Sequence, residues 1–388
     1  MKLELHILQN FAPSNLNRDD TGSPKHCEFG GVRRARISSQ AIKRAIRRHF
    51  AEQQLIPAEH LAIRSKRFVD EIARRLTERG RPEEAARAVV ENALSTLDIR
   101  LDSGGEKTQY LLFLGRQEID RIADFADQNW DLLASAEKRG KREAKTDEAK
   151  ALAKELLEHL DGGKAADLAL FGRMLADVPA RNIDAASQVA HAISTHRVST
   201  QFDYYTAVDD LKPEETAGAD MIGTIEFNSA CYYRYSNVDL DQLVENLDGD
   251  RELGVATVRA FLRASKDAIP TGKQNTFAAH NPPALIFAVL RHAGAWSLAN
   301  AFVQPVRVRD GGDLIGESIA ALDRHWGELV EVYGDPATLR ALMVLPSYRG
   351  RVQVLTSALV SDWETLESEV VAAVGSAFGV TPGAPGGA

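Results

Sequence analysis

An α+β sandwich of ferredoxin-like type, interrupted by a long helical insertion, is the fold this sequence predicts. Three observations lead to it. The chain opens on a period-two strand followed by a helix with one apolar stripe. Residues 57–178 are then rich in Ala, Glu, Arg and Leu and read as mostly helical. Strand, helix and strand resume beyond residue 223, which closes a sandwich around the insertion. With 388 residues, 44% of them hydrophobic and 26% charged, the chain is long enough to bury a sizeable core without covalent staples.

In the first strand, Leu3, Leu5 and Ile7 alternate with Lys2, Glu4 and His6 over residues 2–9, the pattern of a half-buried strand. A loop rich in Pro, Asn, Asp and Gly runs from Ala12 to about Gly31. Ser38 or Ser39 caps the next helix, and Ile42, Ala45, Ile46, His49 and Phe50 form its buried stripe; His49 reads there as a packed histidine. In the insertion, Gly80-Arg81-Pro82 and Gly162-Gly163 are breaks, and residues 103–115 read as a turn leading into one strand. Residues 185–194 are apolar, helical or extended. Residues 195–222 form a polar, aromatic-bearing arm with Lys212-Pro213 at its turn. A strand over 224–235 places Ile225, Phe227, Cys231, Tyr233 and Tyr235 on one face, and Asn237 caps a short helix through Leu247. A helix from Arg251 to Ile269 stops at Pro270, residues 284–290 are a buried strand, and helices follow over 313–333 and 362–378. The Pro/Gly-rich tail, 381–388, is expected to be disordered.

Several function classes drop out. Cys27 and Cys231 lack any paired spacing, which excludes a disulfide framework and a multi-cysteine zinc site. The start has no apolar signal region, and the charge-poor stretch 274–290 is broken by Asn281-Pro282-Pro283, so the expectation is a soluble, cytoplasmic protein without a membrane partner. No dinucleotide fingerprint, phosphate loop, zinc-protease or nucleophile-elbow motif occurs. His191 and His196 are five apart, the wrong spacing for one helix face. Asp19-Asp20 and Asp209-Asp210 could bind a metal, although capping a turn is the commoner role for such residues. No catalytic residue, metal or cofactor is expected.

A net charge of −8 argues against a nucleic-acid partner, but its distribution argues for one. Seven basic residues and no acidic one lie between Phe29 and Ala51: Arg33, Arg34, Arg36, Lys43, Arg44, Arg47 and Arg48. A polyanion senses that patch and not the average, because screening confines fields to about 8–10 Å. Ser38, Ser39 and Gln40 stand where the helix opens, an end whose unpaired amides suit a phosphate. Lys43 and Arg47 extend the track by one turn. Lys43/Arg47 and Arg44/Arg48 are like-charged i,i+4 pairs that a bound anion would offset. A solvated basic face is the plainer alternative. A second run, Lys138, Arg139, Lys141, Arg142 and Lys145, reads by itself as a solvated helix face or linker.

These residues also carry a resemblance. Asn15–Asp20 (NLNRDD) followed by FGGVRRARISSQAIKRAIR is similar to the N-terminal signature of the CasC-type backbone subunit, which coats the guide RNA in type I-E CRISPR Cascade complexes. ALFGRML (169–175), AISTHRVSTQFDYYTAVDDL (192–211) and GKQNTFAAHNPP (272–283) match further blocks of that family in the same order, and together they cover the chain to about residue 335. The resemblance implies a right-hand architecture: a ferredoxin-like (RRM-type) palm from residues 1–56, 179–193 and 223–380, helical fingers at 57–178 and a β-hairpin thumb at 194–222. Asn17, Arg18, Ser38, Gln40, Lys43 and Arg47 would line the groove that grips the guide backbone, supported by Arg33, Arg34 and Arg36, with Lys273 a further phosphate contact. Met174 matches a methionine that packs against guide bases; a helix-core position is its other reading. Phe202, Tyr204 and Tyr205, at or near the thumb tip, would either wedge against a base or pack the hairpin on its neighbour. Lys138–Lys145 falls where the family holds incoming DNA, which displaces the solvated-face reading. Val32 stands where a family lysine can occur, and the segment after about residue 335 lies beyond these blocks, its role open.

By resemblance, then, this is a non-catalytic crRNA-binding subunit. It would oligomerise head to tail along the guide as a helical filament in a ribonucleoprotein with other Cascade subunits. It would pre-order the guide for pairing with the target DNA strand and help hold the R-loop in antiviral defence. Two other classes stay open. One is a metal-dependent RNA-cleaving backbone subunit, for which Asp203, Asp209 or Asp210 would serve; the other is a generic single-stranded RNA-binding protein.

Overall fold

The computed structural model describes residues 1–97, 99–102, 107–135, 147–207, 221–308, 312–335 and 337–380. The tail at 381–388 lies outside them. The chain begins with strands β1 (Lys2–Ser14), β2 (His26–Phe29) and β3 (Val32–Ile37) and helix α1 (Ser39–Glu52). Next come β4 (Ala62–Ser65), α2 (Phe68–Glu78), α3 (Glu83–Thr96), β5 (Leu112–Gly115), α4 (Arg116–Gln128), α5 (Trp130–Ser135), α6 (Asp147–Glu158) and α7 (Ala166–Phe171). Short strands β6 (Ser187–Val189) and β7 (Ala192–Ser194) lead to β8 (Gln201–Ala207) and the long β9 (Met221–Asp239). Then follow α8 (Leu240–Asn246), α9 (Arg251–Asp267), α10 (Gln274–Phe277), β10 (Leu285–Arg291), α11 (Leu314–Tyr333), β11 (Ala337–Val344) and α12 (Trp363–Phe378). No helix among the described residues is long and apolar enough to cross a membrane.

Two compact units result: residues 1–50, 188–239 and 258–388, and residues 51–187 with 240–257. The expected insertion at 57–178 lies inside the second unit, which is wider. The first unit is built on a nine-stranded sheet with the main-path order β11-β10-β1-β9-β7-β3-β2, and β8 pairs with β9 beside that path. Neighbours along the path are antiparallel; Leu5 of β1, for example, faces Ser236 of β9 and Ala288 of β10. The result is a mixed α/β protein with an antiparallel sheet, as the sequence predicts at that level.

The half-buried strand expected at the start is instead buried on both faces. Glu4 and His6, the residues meant for solvent, are fully buried with Leu3 and Leu5. The reason is an opposing polar set that lies far away in sequence. Arg291 pairs with Glu4 at 2.9 Å, and the Tyr235 hydroxyl donates to Glu4 at 2.9 Å. Tyr233 Oη, which accepts from the Leu298 amide at 2.8 Å, sits 2.9 Å from His6 Nδ1. Around them Leu8, Phe287, Leu342 and Trp326 of α11 close an apolar core. Desolvation and the Arg291 charge push the His6 imidazole down to about 3, so it stays neutral.

Two further expectations change. Asn237 does not cap a helix: β9 runs on to Asp239, and the buried Asn237 amide donates to Gln188 and to the Tyr235 hydroxyl. Within the loop expected at 12–31, β1 extends to Ser14 and β2 forms. The second unit packs α2, α3, α4 and α6 around Phe68, Ile72, Val89, Ile119, Phe125 and Leu156, with β4 and β5 paired at its edge.

Candidate nucleic-acid interface

Helix α1 turns Ile42, Ile46 and Phe50 inward, which sets Arg44 and Arg48 in solvent and leaves Lys43 and Arg47 half-buried along the flank. Partial burial lowers the Lys43 pKa, because desolvation penalises its charged form. Of the two candidate caps, Ser38 is the one used: its Oγ accepts from the Ala41 amide at 3.3 Å, and its carbonyl accepts the first helical bond, from Ile42. The Ser38 amide donates to Asn17 Oδ1 at 2.8 Å, and the Ser39 amide donates to His191 Nδ1 at 3.1 Å. None of these three side chains takes up the amide of Gln40, whose own side chain is exposed.

The loop carrying Asn17 and Arg18 is fixed by its neighbours. Buried Asn15 donates to the carbonyls of Gly22 and Glu226, both at 2.9 Å. Asp19 Oδ1 accepts from the amides of Thr21 and Ser23 and from the Thr21 hydroxyl, so this aspartate closes a turn. The Thr21 hydroxyl leads the contacts that hold its carboxyl below the usual range. Among the described residues no cluster of three or more acidic, His or Cys side chains could hold a metal. Arg18 is exposed.

The block at 272–283 packs on this loop. A Cβ on Gly272 would stand 2.4 Å from the Leu16 carbonyl oxygen and 2.6 Å from that of Asn15, so only glycine permits the approach. Lys273 follows in the left-handed region, at φ 51°, and α10 is clasped by Gln274, whose Oε1 accepts from the Ala279 amide at 2.8 Å. Asn281 Oδ1 accepts from the Ala12 amide. Two sequence blocks far apart in the chain thus bring half-buried Lys273 to the loop of Asn17 and Arg18.

The three arginines before α1 part ways. Arg33 is exposed and reaches His26 Nδ1 at 3.1 Å. Arg36, half-buried, lies 3.3 Å from His191 Nδ1. Arg34 is fully buried and donates to the carbonyls of Phe29, Ser194, Phe302 and Val303 at 2.7–3.2 Å. As a direct RNA contact Arg34 is corrected: its fork is committed to carbonyls and has no hydrogen bond to give a phosphate, so it braces the strand between Arg33 and Arg36, the supporting place the resemblance implies.

In the arm, β8 and β9 form a hairpin from Gln201↔Phe227 to Ala207↔Met221. Phe202 and Tyr204 share one face and are exposed; Tyr205 lies on the other, 43% exposed, opposite Gly223. A Cβ at Gly223 would stand 2.2 Å from the Tyr205 ring, so that ring rests on bare backbone. The three aromatics line a paired strand and do not act as one group. Asp209 and Asp210 lie outside the described residues, as do Lys138, Arg139, Lys141, Arg142 and Lys145.

Met174 belongs to the second unit, and its helix-core reading is corrected: α7 has ended at Phe171, and Met174 is 79% exposed. Its neighbours hold it out. Backbone groups of Arg173 pair with those of Ile183 at 2.9 Å in both directions, and the Leu175 amide donates to Asn182 Oδ1 at 2.6 Å. The Arg173 side chain turns inward onto Glu118 at 2.7 and 2.8 Å, both groups buried, and Glu118 also accepts from the amides of Gly115 and Gly162. Sequence reasoning missed this pair, and it missed His26 and His191 as partners of the arginines.

The family model described as CT1975-like protein matches residues 3–368. Among solved structures, the chain is similar to one from a CRISPR RNA-guided surveillance complex described as pre-nicking, with a TM-score of 0.85 and 32% identity over 96% of this chain and 100% of that one. It is also similar to a chain from a CRISPR RNA-guided surveillance complex at a TM-score of 0.72 and 29% identity, again over 96% and 100%. No curated protein matches the sequence.

Proposed function

The chain belongs to the CT1975-like protein family, and we propose that it is a non-catalytic backbone subunit of a type I-E CRISPR Cascade complex, one that binds the guide RNA in the cytoplasm. The observation that carries this reading is the start of α1. There Asn17, Ser38 and His191 settle the first amides, none of the three takes the Gln40 amide, and Lys43 and Arg47 continue along the flank. Such an end attracts phosphate through oriented N–H groups and nearby cations. Arg18 and Lys273 extend the contact on the adjoining loop. Contacts of this kind fix register without reading sequence.

Exposed Met174 offers an apolar surface to a base, and Phe202 and Tyr204 offer rings on which a nucleobase can stack. The chain order β1, α1, β7, β9, α9, β10, with sheet order β10-β1-β9-β7, supports the ferredoxin-like palm. Copies stacking head to tail through contacts that do not close would give a filament along one RNA. Guide bases held in ordered segments pair with target DNA at a lower entropic cost, so pairing reads the sequence while protein reads the backbone. The roles of Lys138–Lys145 in holding DNA and of the subunit in the R-loop rest on the resemblance.

The test is to express the tagged chain with its operon and guide array, purify it, and sequence the RNA that accompanies it. A uniform population of repeat–spacer guides, intact in magnesium, is expected. Mixed cellular RNA would make the protein a generic binder, shortened RNA with cut ends a nuclease; absence of RNA would end the coat reading.

A further inference from the structure

His191 has no part in the groove as the sequence reads it, yet it touches both the start of α1 and the arginine beside it. Its Nδ1 lies 3.1 Å from the Ser39 amide and 3.3 Å from Arg36 Nη1. Both neighbours are donors, so Nδ1 must hold a lone pair and the ring proton sits on Nε2. Desolvation, together with the Arg36 and Lys25 cations, lowers the His191 pKa and favours the same neutral ring. The backbone here is held on both sides: the Ala190 amide donates to the Tyr235 carbonyl, and Ile193 pairs with Arg36 and Tyr233. The side chain itself is exposed at the edge of the site.

We propose that His191 is a positioning residue of the RNA groove: its Nδ1 occupies the Ser39 amide and steadies the Arg36 guanidinium, so that a guide phosphate is directed to the Gln40 amide. This rests on the guide-RNA reading of the groove. A cap that consumed every amide would close the helix end to ligands; one that left Ser39 open would let a phosphate settle in either of two places. By taking one donor and orienting a cation, His191 leaves a single seat, with Lys43 one turn farther along. Because a neutral ring displaces no counterion, its loss should not change the salt dependence of binding, whereas loss of a cation should.

The experiment uses the full chain and a fluorescein-labelled oligouridylate, titrated at several salt concentrations, with thermal melting as a check on folding. His191→Ala is expected to weaken binding about fivefold, the worth of roughly one hydrogen bond, with an unchanged salt slope. His191→Asn, whose Oδ1 can accept from the Ser39 amide, is expected to restore most of that loss. It also carries the test should His191→Ala melt early. Lys43→Ala with Arg47→Ala serves as the control and should weaken binding and lower the slope. If that control weakens binding while His191→Ala binds like the parent, or while His191→Asn is as weak as His191→Ala, the groove stands and the role of His191 is overturned. A lowered slope for His191→Ala would also overturn it, by making His191 a charged contact. If the control itself binds like the parent, the groove reading fails first.

Discussion

Arg34 and Arg173 are both buried arginines inside the sequence blocks that define the family resemblance, one in each unit, and they are satisfied in different ways. Arg173 meets the Glu118 carboxylate, which cancels its charge, and then the carbonyls of Leu160 and Arg181. Arg34 meets four carbonyl oxygens and, among the described residues, no carboxylate. Carbonyl dipoles satisfy N–H groups without removing net charge. The first unit therefore keeps a positive charge beneath the strand that holds Arg33 and Arg36, within a Debye length of its surface. In the second unit, Met174 rises from a base whose charges cancel. One block is suited to phosphate, which responds to a field; the other is suited to a base, which responds to apolar contact.

The sharpest way to break this contrast is through the buried charges. Glu118→Ala should cost about 3–5 kcal/mol, because it strands Arg173 without a counter-charge. Arg34→Met should cost less, about 1–3 kcal/mol: it leaves carbonyls unpaired but removes a charge that burial already penalises. Denaturant melts of the two variants decide the matter. Equal losses would mean that Arg34 is compensated as fully as Arg173, and the field argument would fall.

Acid gives a second handle on the first unit, whose sheet holds His6 neutral. The native ring binds a proton only near pH 3, whereas in the unfolded chain it does so near 6.5. The unfolded state therefore takes up the proton first as pH falls. The stability that neutral His6 represents is complete above 6.5 and should decline by up to about 1.4 kcal/mol per pH unit below it, until the native ring titrates. His6→Gln should flatten that part of the pH profile. Parallel profiles for the variant and the parent would show that the site admits the proton after all.

Lys43→Ala with Arg47→Ala should leave stability within about 0.5 kcal/mol, since both side chains reach solvent. The change should appear in RNA binding, equally for all sequences, as a salt slope lower by roughly 0.7 for each phosphate that is no longer neutralised. An unchanged slope would contradict the groove.

Much of this was legible in the sequence because it is local. The stripe of Ile42, Ile46 and Phe50 set the helix and so the flank on which Lys43 and Arg47 stand. The sequence predicts helices opening at Asp313 and Asp362, and in the structure those two residues cap α11 and α12, accepting from Gly316 and Thr365. What was illegible depends on partners distant in the chain. Glu4 and His6 read as solvent-facing because Arg291, Tyr233 and Tyr235, which make their burial tolerable, lie more than two hundred residues away. Arg34 read like Arg33 and Arg36 because nothing nearby in sequence shows the carbonyls of Ser194 and Phe302 waiting for it. β11 was missed outright. Its alternation is weak, and it becomes a strand by pairing with β10, from Leu285↔Val344 to Arg291↔Ala337.

The smallest expected effect tests the other half of the contrast. Met174 has solvent around it and its backbone is held by its neighbours, so Met174→Ala should leave stability within about 0.5 kcal/mol. If the residue meets a base, RNA affinity should fall by about threefold, in keeping with the modest worth of a thioether against a ring. The salt slope should stay where it was, since no counterion is involved. Met174→Leu should keep most of the affinity, because it keeps most of the apolar surface. Should Met174→Ala lower the slope instead, the second unit would be acting through charge like the first. The cancelled pair beneath Met174 would then have no bearing on what it binds.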